Sequence, residues 1–145
     1  MDSKPLGHSD HSGFEMQKRA LCGDSVYAIN ADQIIWDNSN KKFYVFEYQK
    51  CEATQTVNPW TSHPNRYWGK CHLKYRSLWR ITKKLEGTLF VINYADEGTP
   101  NADMFRVIMV KAIDDEKGIT EYVTKEMLFS AFSDWFRNMN KLGKF

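Results

Sequence analysis

The hydrophobic pattern of the chain changes period several times. Residues 26–36 (VYAINADQIIW) and 42–50 (KFYVFEYQK) are rich in aromatic and β-branched residues. They are joined by DNSNK, whose Asp, Asn and Ser favour a turn, so the pair predicts a β-hairpin. After Cys51, EATQTVNPWTSHPNR carries two prolines among polar residues and predicts an irregular connection. From 67 to 85 the period becomes helical. Cys71, Tyr75, Leu78, Thr82 and Leu85 share one face, Arg76, Arg80, Lys83 and Lys84 share another, and Glu86 and Gly87 end the helix, with Gly87 in the usual C-terminal position.

Two apolar runs, 88–95 and 104–113, flank the turn-forming DEGTPNAD and predict strands buried on both faces. A short extended stretch, 119–123, leads to Thr124 as the cap of a last helix. That amphipathic helix carries Leu128, Phe132, Trp135, Phe136 and Met139 on one stripe, as core or as a homodimer face, and ends near Gly143. At the other end, Ser12 caps a short helix to about Leu21, stopped by Gly23, after a polar stretch, 1–12, that predicts a flexible leader. The order predicts an α/β (α+β) fold: one domain, 13–145, with a mixed central β-sheet flanked by helices and at least one crossover helix.

At 145 residues with 42% hydrophobic composition, the chain can bury one proper core, and no apolar run approaches the roughly 18–20 residues a bilayer crossing needs. The start lacks an apolar h-region, which predicts a cytoplasmic protein, and three cysteines fit reduced thiols. Net charge is only +2, but its distribution is uneven. Between Ala53 and Leu85 there is no acidic residue, while Arg66, Lys70, Lys74, Arg76, Arg80, Lys83 and Lys84 supply seven cations. With Trp60, Tyr67 and Trp68 interleaved, this segment predicts a nucleic-acid-binding surface that tracks phosphates and offers rings for stacking.

One letter is out of place in the hairpin. Glu47 interrupts an apolar strand, and a buried carboxylate needs a cation, a metal or a donor beside it. Asp32, 15 residues earlier, opens the apolar part of the partner strand, so a tight hairpin brings the two carboxylates together. Two hard oxygen donors suit Mg²⁺, which completes its shell with water and substrate phosphate. Gln49 shares the face of Glu47 by period two, and Lys50 points the other way. The bland alternatives pair Glu47 with a helix arginine as a structural ion pair or set it on an edge strand facing water. Zinc is disfavoured: Cys22, Cys51, His63, Cys71 and His72 contain no C-x₂₋₄-C pair. A serine nucleophile lacks any G-x-S-x-G signature.

An Asp at the start of one strand in NADQIIWD, an acid within the next in FEYQK, and a basic helix after it resemble the PD-(D/E)XK nuclease superfamily. The resemblance implies a restriction-endonuclease-like fold and Mg²⁺- or Mn²⁺-dependent hydrolysis of DNA phosphodiesters, leaving 5′-phosphate ends. It implies Asp32 and Glu47 as metal ligands, joined by Glu15 from the preceding helix, with Gln49 or Lys50 orienting or activating the attacking water. The motif lysine belongs two residues after the acid, where this chain has Gln49, with Lys50 displaced by one. Gln in that slot occurs among active relatives, while a displaced lysine also fits a catalytically silent protein of phage or mobile-element type that binds nucleic acid or a nucleic-acid-processing complex. A third reading uses the acidic stretch from Asp96 to Asp134, nine acids against four basic residues, as a nucleic-acid mimic.

Overall fold

The structure, a computed structural model, describes residues 12–26 and 28–143. The expected leader therefore lies outside the described residues except for Ser12, which opens the first helix. The elements in chain order are α1 (Ser12–Leu21), β1 (Gln33–Asp37), β2 (Lys42–Lys50), a 3₁₀ turn (Pro64–Tyr67), α2 (Trp68–Lys84), β3 (Thr88–Tyr94), β4 (Met104–Asp114), β5 (Gly118–Leu128) and α3 (Phe129–Lys141). The five strands form one mixed sheet in the order β1-β2-β3-β4-β5. Only β2 and β3 run parallel, because α2 crosses between them; the other neighbours are antiparallel.

Period two sends alternate residues of the central strands to opposite faces, and each face builds a core. Under α2 lie Val45, Leu89, Val91, Ile108 and Val110, closed by Tyr75 and Leu78 of the helix. On the other face Phe46, Phe90, Ile92, Val107 and Met127 receive Phe132, Trp135 and Met139 of α3. The aromatic residues of the last helix pack half-buried on this core, Phe132 stacking on Phe105 with ring centroids 4.2 Å apart, whereas Leu128, expected on the same stripe, ends β5 and is exposed. By contrast α1 contributes no buried residue. Among the described residues no helix is long and apolar enough to cross a membrane.

Several boundaries differ from those the sequence predicts. The first hairpin strand starts at Gln33, not at 26: Ala31 packs toward the α2 core, and the Asp32 carboxylate takes the Tyr48 N–H at 2.8 Å in place of a strand carbonyl. β5 continues to Leu128, pairing with β4 as far as Met104↔Leu128, so Thr124 is a strand residue and not a helix cap. The first turn of α3 is satisfied from outside the element, by Asp103 Oδ1 accepting from the Phe129 N–H at 3.0 Å. At the end of α2 the left-handed residue is Glu86, φ 53°, rather than Gly87. Gly87 is needed for a different reason: a Cβ there would lie 2.6 Å from the Phe43 carbonyl oxygen, where the chain turns into β3 beside β2.

The irregular segment after β2 is fastened to the sheet. Asn93, fully buried on β3, donates to the carbonyls of Pro59 at 3.2 Å and Ser62 at 2.7 Å. Trp60 Nε1 donates to Phe105 O and Arg106 Nη1 to Ser62 O, each at 3.0 Å. Asn65 acts on the far strand: its Nδ2 donates to the Ile119 carbonyl at 2.8 Å while its Oδ1 accepts the Ile119 N–H at 2.7 Å. Gly118, at φ 96°, leaves space for this contact, since a Cβ there would clash with Asn65 Oδ1.

Candidate functional site

Extending the β1–β2 register, in which Gln33 pairs with Phe46, sets Asp32 opposite Glu47. Both project on the α2 side of the sheet, since Val45 and Val91 on that face belong to the α2 core and Glu47 pairs with Val91. Asp32 is near enough for its negative charge to act on the Glu47 carboxyl. Glu47 is 5% exposed, whereas Asp32 is exposed, so the pair runs from the interior to solvent. Lys74, on the flank of α2, brings Nζ to 2.6 Å from Glu47 Oε1 and keeps its side chain 48% exposed. Tyr75, the next residue, is fully buried and donates its hydroxyl to Gln49 Oε1 at 3.3 Å. The cluster is therefore Asp32, Glu47, Gln49, Lys74 and Tyr75, at the last turn of β2 under the middle of α2.

The hairpin contains a second buried carboxylate, and the contrast between the two is informative. Asp37 is fully enclosed, yet it accepts from the N–H groups of Ser39 and Asn40, the Asn40 amide and the Tyr44 hydroxyl. Hydrogen bonds led by the Asn40 side chain hold its carboxyl below the ordinary value. Asp37 is a satisfied turn residue. The Glu47 carboxyl is instead pushed up, first by burial and then by the neighbouring Asp32, with Lys74 opposing. Burial also raises the hydroxyl of Tyr48 to about 12, with Asp32 adding to it, and drives that of Tyr75 further up, helped by the negative charge of Glu47. Burial thus leads all three shifts and the negative charge of Asp32 and Glu47 adds to them, a setting in which a bound cation would be stabilising.

The other predicted site residues are dispersed. Lys50, one position out of phase with Gln49, forms ion pairs with Glu52 at 3.2 Å and Asp96 at 3.3 Å, away from the Glu47 face. Glu15 lies on exposed α1, 3.9 Å from Lys18, and among the described residues no group of three or more His, Cys, Asp or Glu side chains gathers. The basic segment divides into two rows by helical spacing. Lys70 and Lys74 share one row of α2, of which Lys74 reaches Glu47, and Arg66 lies in the 3₁₀ turn before the helix. Arg76, Arg80 and Lys84 form another row, and Arg76 is held by Asp115 through Nε at 3.1 Å and Nη2 at 3.2 Å. Lys83 rests over the Trp79 ring at 5.6 Å.

Two features of the site escape the sequence pattern. Lys74 reads as one cation among seven, and Tyr75 as one member of an apolar stripe. The available signal is the hydroxyl itself: a buried tyrosine in such a stripe requires a polar partner, and the adjacent residue then borders the same polar point. A separate, half-buried titratable group is His63, whose Nδ1 accepts from the Asn65 N–H at 3.1 Å and whose ring faces Tyr122. Burial, together with the Arg106 charge, lowers it to about 4. No protein-family model, curated protein or solved structure matches the chain.

Proposed function

We propose that the protein is a metal-dependent nuclease that hydrolyses DNA phosphodiester bonds at the Asp32–Glu47 cluster. The observation that carries the reading is the meeting of two carboxylates, one buried with a raised pKa, with a lysine ammonium and an amide at the same point of one sheet face. Two hard carboxylates with an exposed side fit Mg²⁺ or Mn²⁺, which take their remaining ligands from water and phosphate. Asp32 and Glu47 would hold the ion, which when bound stabilises charge on the transferring phosphoryl group and acidifies water.

The chain's own groups supply the rest. The Tyr48 N–H fixes Asp32, so that carboxylate is oriented before any ligand arrives. Lys74 takes the place of the absent motif lysine: its ammonium is within reach of Glu47 and, being half-exposed, can move to a phosphate oxygen or to an attacking water. Tyr75 occupies Gln49 Oε1, which leaves the Gln49 NH₂ as the group offered to water or phosphate. Arg66 and Lys70 extend the positive flank along which a strand would lie. Lys50, ion-paired elsewhere, has no part in this mechanism.

A second reading, a catalytically silent nucleic-acid-binding protein, is favoured by the same Lys74–Glu47 pair, because that pair satisfies Glu47 without a metal. Incubation of the protein with supercoiled, linear and single-stranded DNA, with Mg²⁺ or EDTA, separates the two. The nuclease reading expects Mg²⁺-dependent cleavage to 5′-phosphate ends, abolished in Asp32→Asn and reduced at least about 100-fold in Lys74→Ala. DNA binding without cleavage under either condition would establish the second reading.

A further inference from the structure

We propose that the outer edge of β5 pairs antiparallel with the same edge of a second copy, across a twofold axis at Val123, to make a continuous ten-stranded sheet. β5 is a sheet edge of 11 residues with no proline. Near one end Asn65 occupies both backbone groups of Ile119, acting there as a short substitute strand. Beyond that cap, residues from Thr120 to Glu126 are exposed apart from the half-buried Thr124, and among the described residues nothing but β4 pairs with their backbone. An uncovered edge of that length is a template for another strand.

Charge identifies the occupant. Glu121, Val123 and Lys125 project to the α3 side, since Val123 and Met127 pair with Met109 and Phe105 and share that face with Met109 and Met127 of its core. The β4 partners of Glu121 and Lys125 are Ala112 and Val107, so neither charge has a counter-ion across the ladder inside the chain. In an antiparallel pair centred on Val123, Glu121 of each copy falls opposite Lys125 of the other. Both cross-pairs are opposite in sign and Val123, 51% exposed, meets its own equivalent. On the other face Tyr122 falls opposite Thr124, two residues suited to strands, while Glu126 faces Arg106 of its own chain at 3.6 Å and the paired stretch ends at Thr120, which the β4–β5 register skips. Shifting the register by two residues sets Glu121 against Val123 or Met127 and removes both ion pairs, so the charges select one alignment. α3 leaves this edge at Leu128 and crosses toward β1, its Met139 and the following Leu142 packing on the cluster that holds Ile35, so the segment before it is unobstructed.

Sedimentation velocity of the full chain across a concentration series at low salt tests the proposal. Wild type is expected to shift from monomer to dimer by roughly 100 μM. Glu121→Lys and Lys125→Glu, both exposed and outside the core, each place like charges across the axis and are expected to weaken dimerisation at least about tenfold. The double variant E121K/K125E recreates both cross-pairs with reversed sign and is expected to restore the wild-type constant. A wild type that stays monomeric, single reversals without effect, or a double variant no better than either single would each overturn the proposal. Circular dichroism of all four proteins verifies that the fold is retained, so loss of dimer cannot be assigned to unfolding.

Discussion

Glu47→Gln removes a buried charge that stands beside Asp32, and its partner Lys74, being half-exposed, can turn to water when released. The variant is therefore expected to melt at or above the wild type in metal-free buffer. Lys74→Met has the opposite consequence: it leaves Glu47 buried against Asp32 without a cation, costing roughly 1–3 kcal/mol at neutral pH. The sign with pH follows from the raised carboxyl. The folded state holds that proton more tightly than the unfolded chain, so stability is lost as pH climbs from the ordinary carboxylate value through the raised one. The melting deficit of Lys74→Met should shrink as pH falls toward that window. Mg²⁺ should raise the melting temperature of wild type and of Lys74→Met and leave Glu47→Gln unmoved; a Glu47→Gln variant that melts far lower than wild type would make Glu47 a structural residue. The Asp32–Glu47 juxtaposition was legible because a short turn fixes hairpin register and period two fixes the face. Lys74 was not, since finding it requires knowing which turn of a helix 27 residues further along lies over β2.

At the scale of elements, the join between α2 and β3 separates two demands that sequence patterns merge into one glycine. Glu86 adopts the left-handed conformation, and Gly87 provides the close approach to Phe43. Glu86→Gly should stabilise by about 1 kcal/mol through relief of the unfavourable φ. Gly87→Ala should destabilise by about 1–3 kcal/mol, since the obstructing atom is backbone in the neighbouring strand. Urea unfolding of the two variants checks both signs; equal effects would mean that one residue carries both demands. The order of helices and strands was readable because hydrophobic period distinguishes them over long windows. The limits of β1 and β5 were not. Their ends are set by pairing with β2 and β4 and by the side chains of Asp32 and Asp103, interactions that local propensity does not encode.

For the molecule as a whole, the uneven charge includes one cation, Lys74, at the carboxylates and one, Arg76, held by Asp115. Lys70→Glu should weaken DNA binding and lower the slope of log affinity against log salt by about 0.9 for each phosphate that is no longer neutralised. Arg76→Ala should leave that slope unchanged, because its guanidinium already serves Asp115. Fluorescence anisotropy with a labelled duplex across a salt series measures both; equal slopes for wild type and Lys70→Glu would make the flank an ordinary solvated face. The double hydrogen bond of Asn65 with Ile119 has a further consequence for how the molecule opens. It ties the irregular segment before α2 to the β4–β5 hairpin, while Asn93 and Arg106 tie the same segment to β3 and β4. That segment has the composition of a loose loop, yet it cannot detach without breaking bonds on three strands. In amide exchange it belongs with the sheet in one cooperative unit, so that Ile119, near a free edge, exchanges only when the segment lifts away.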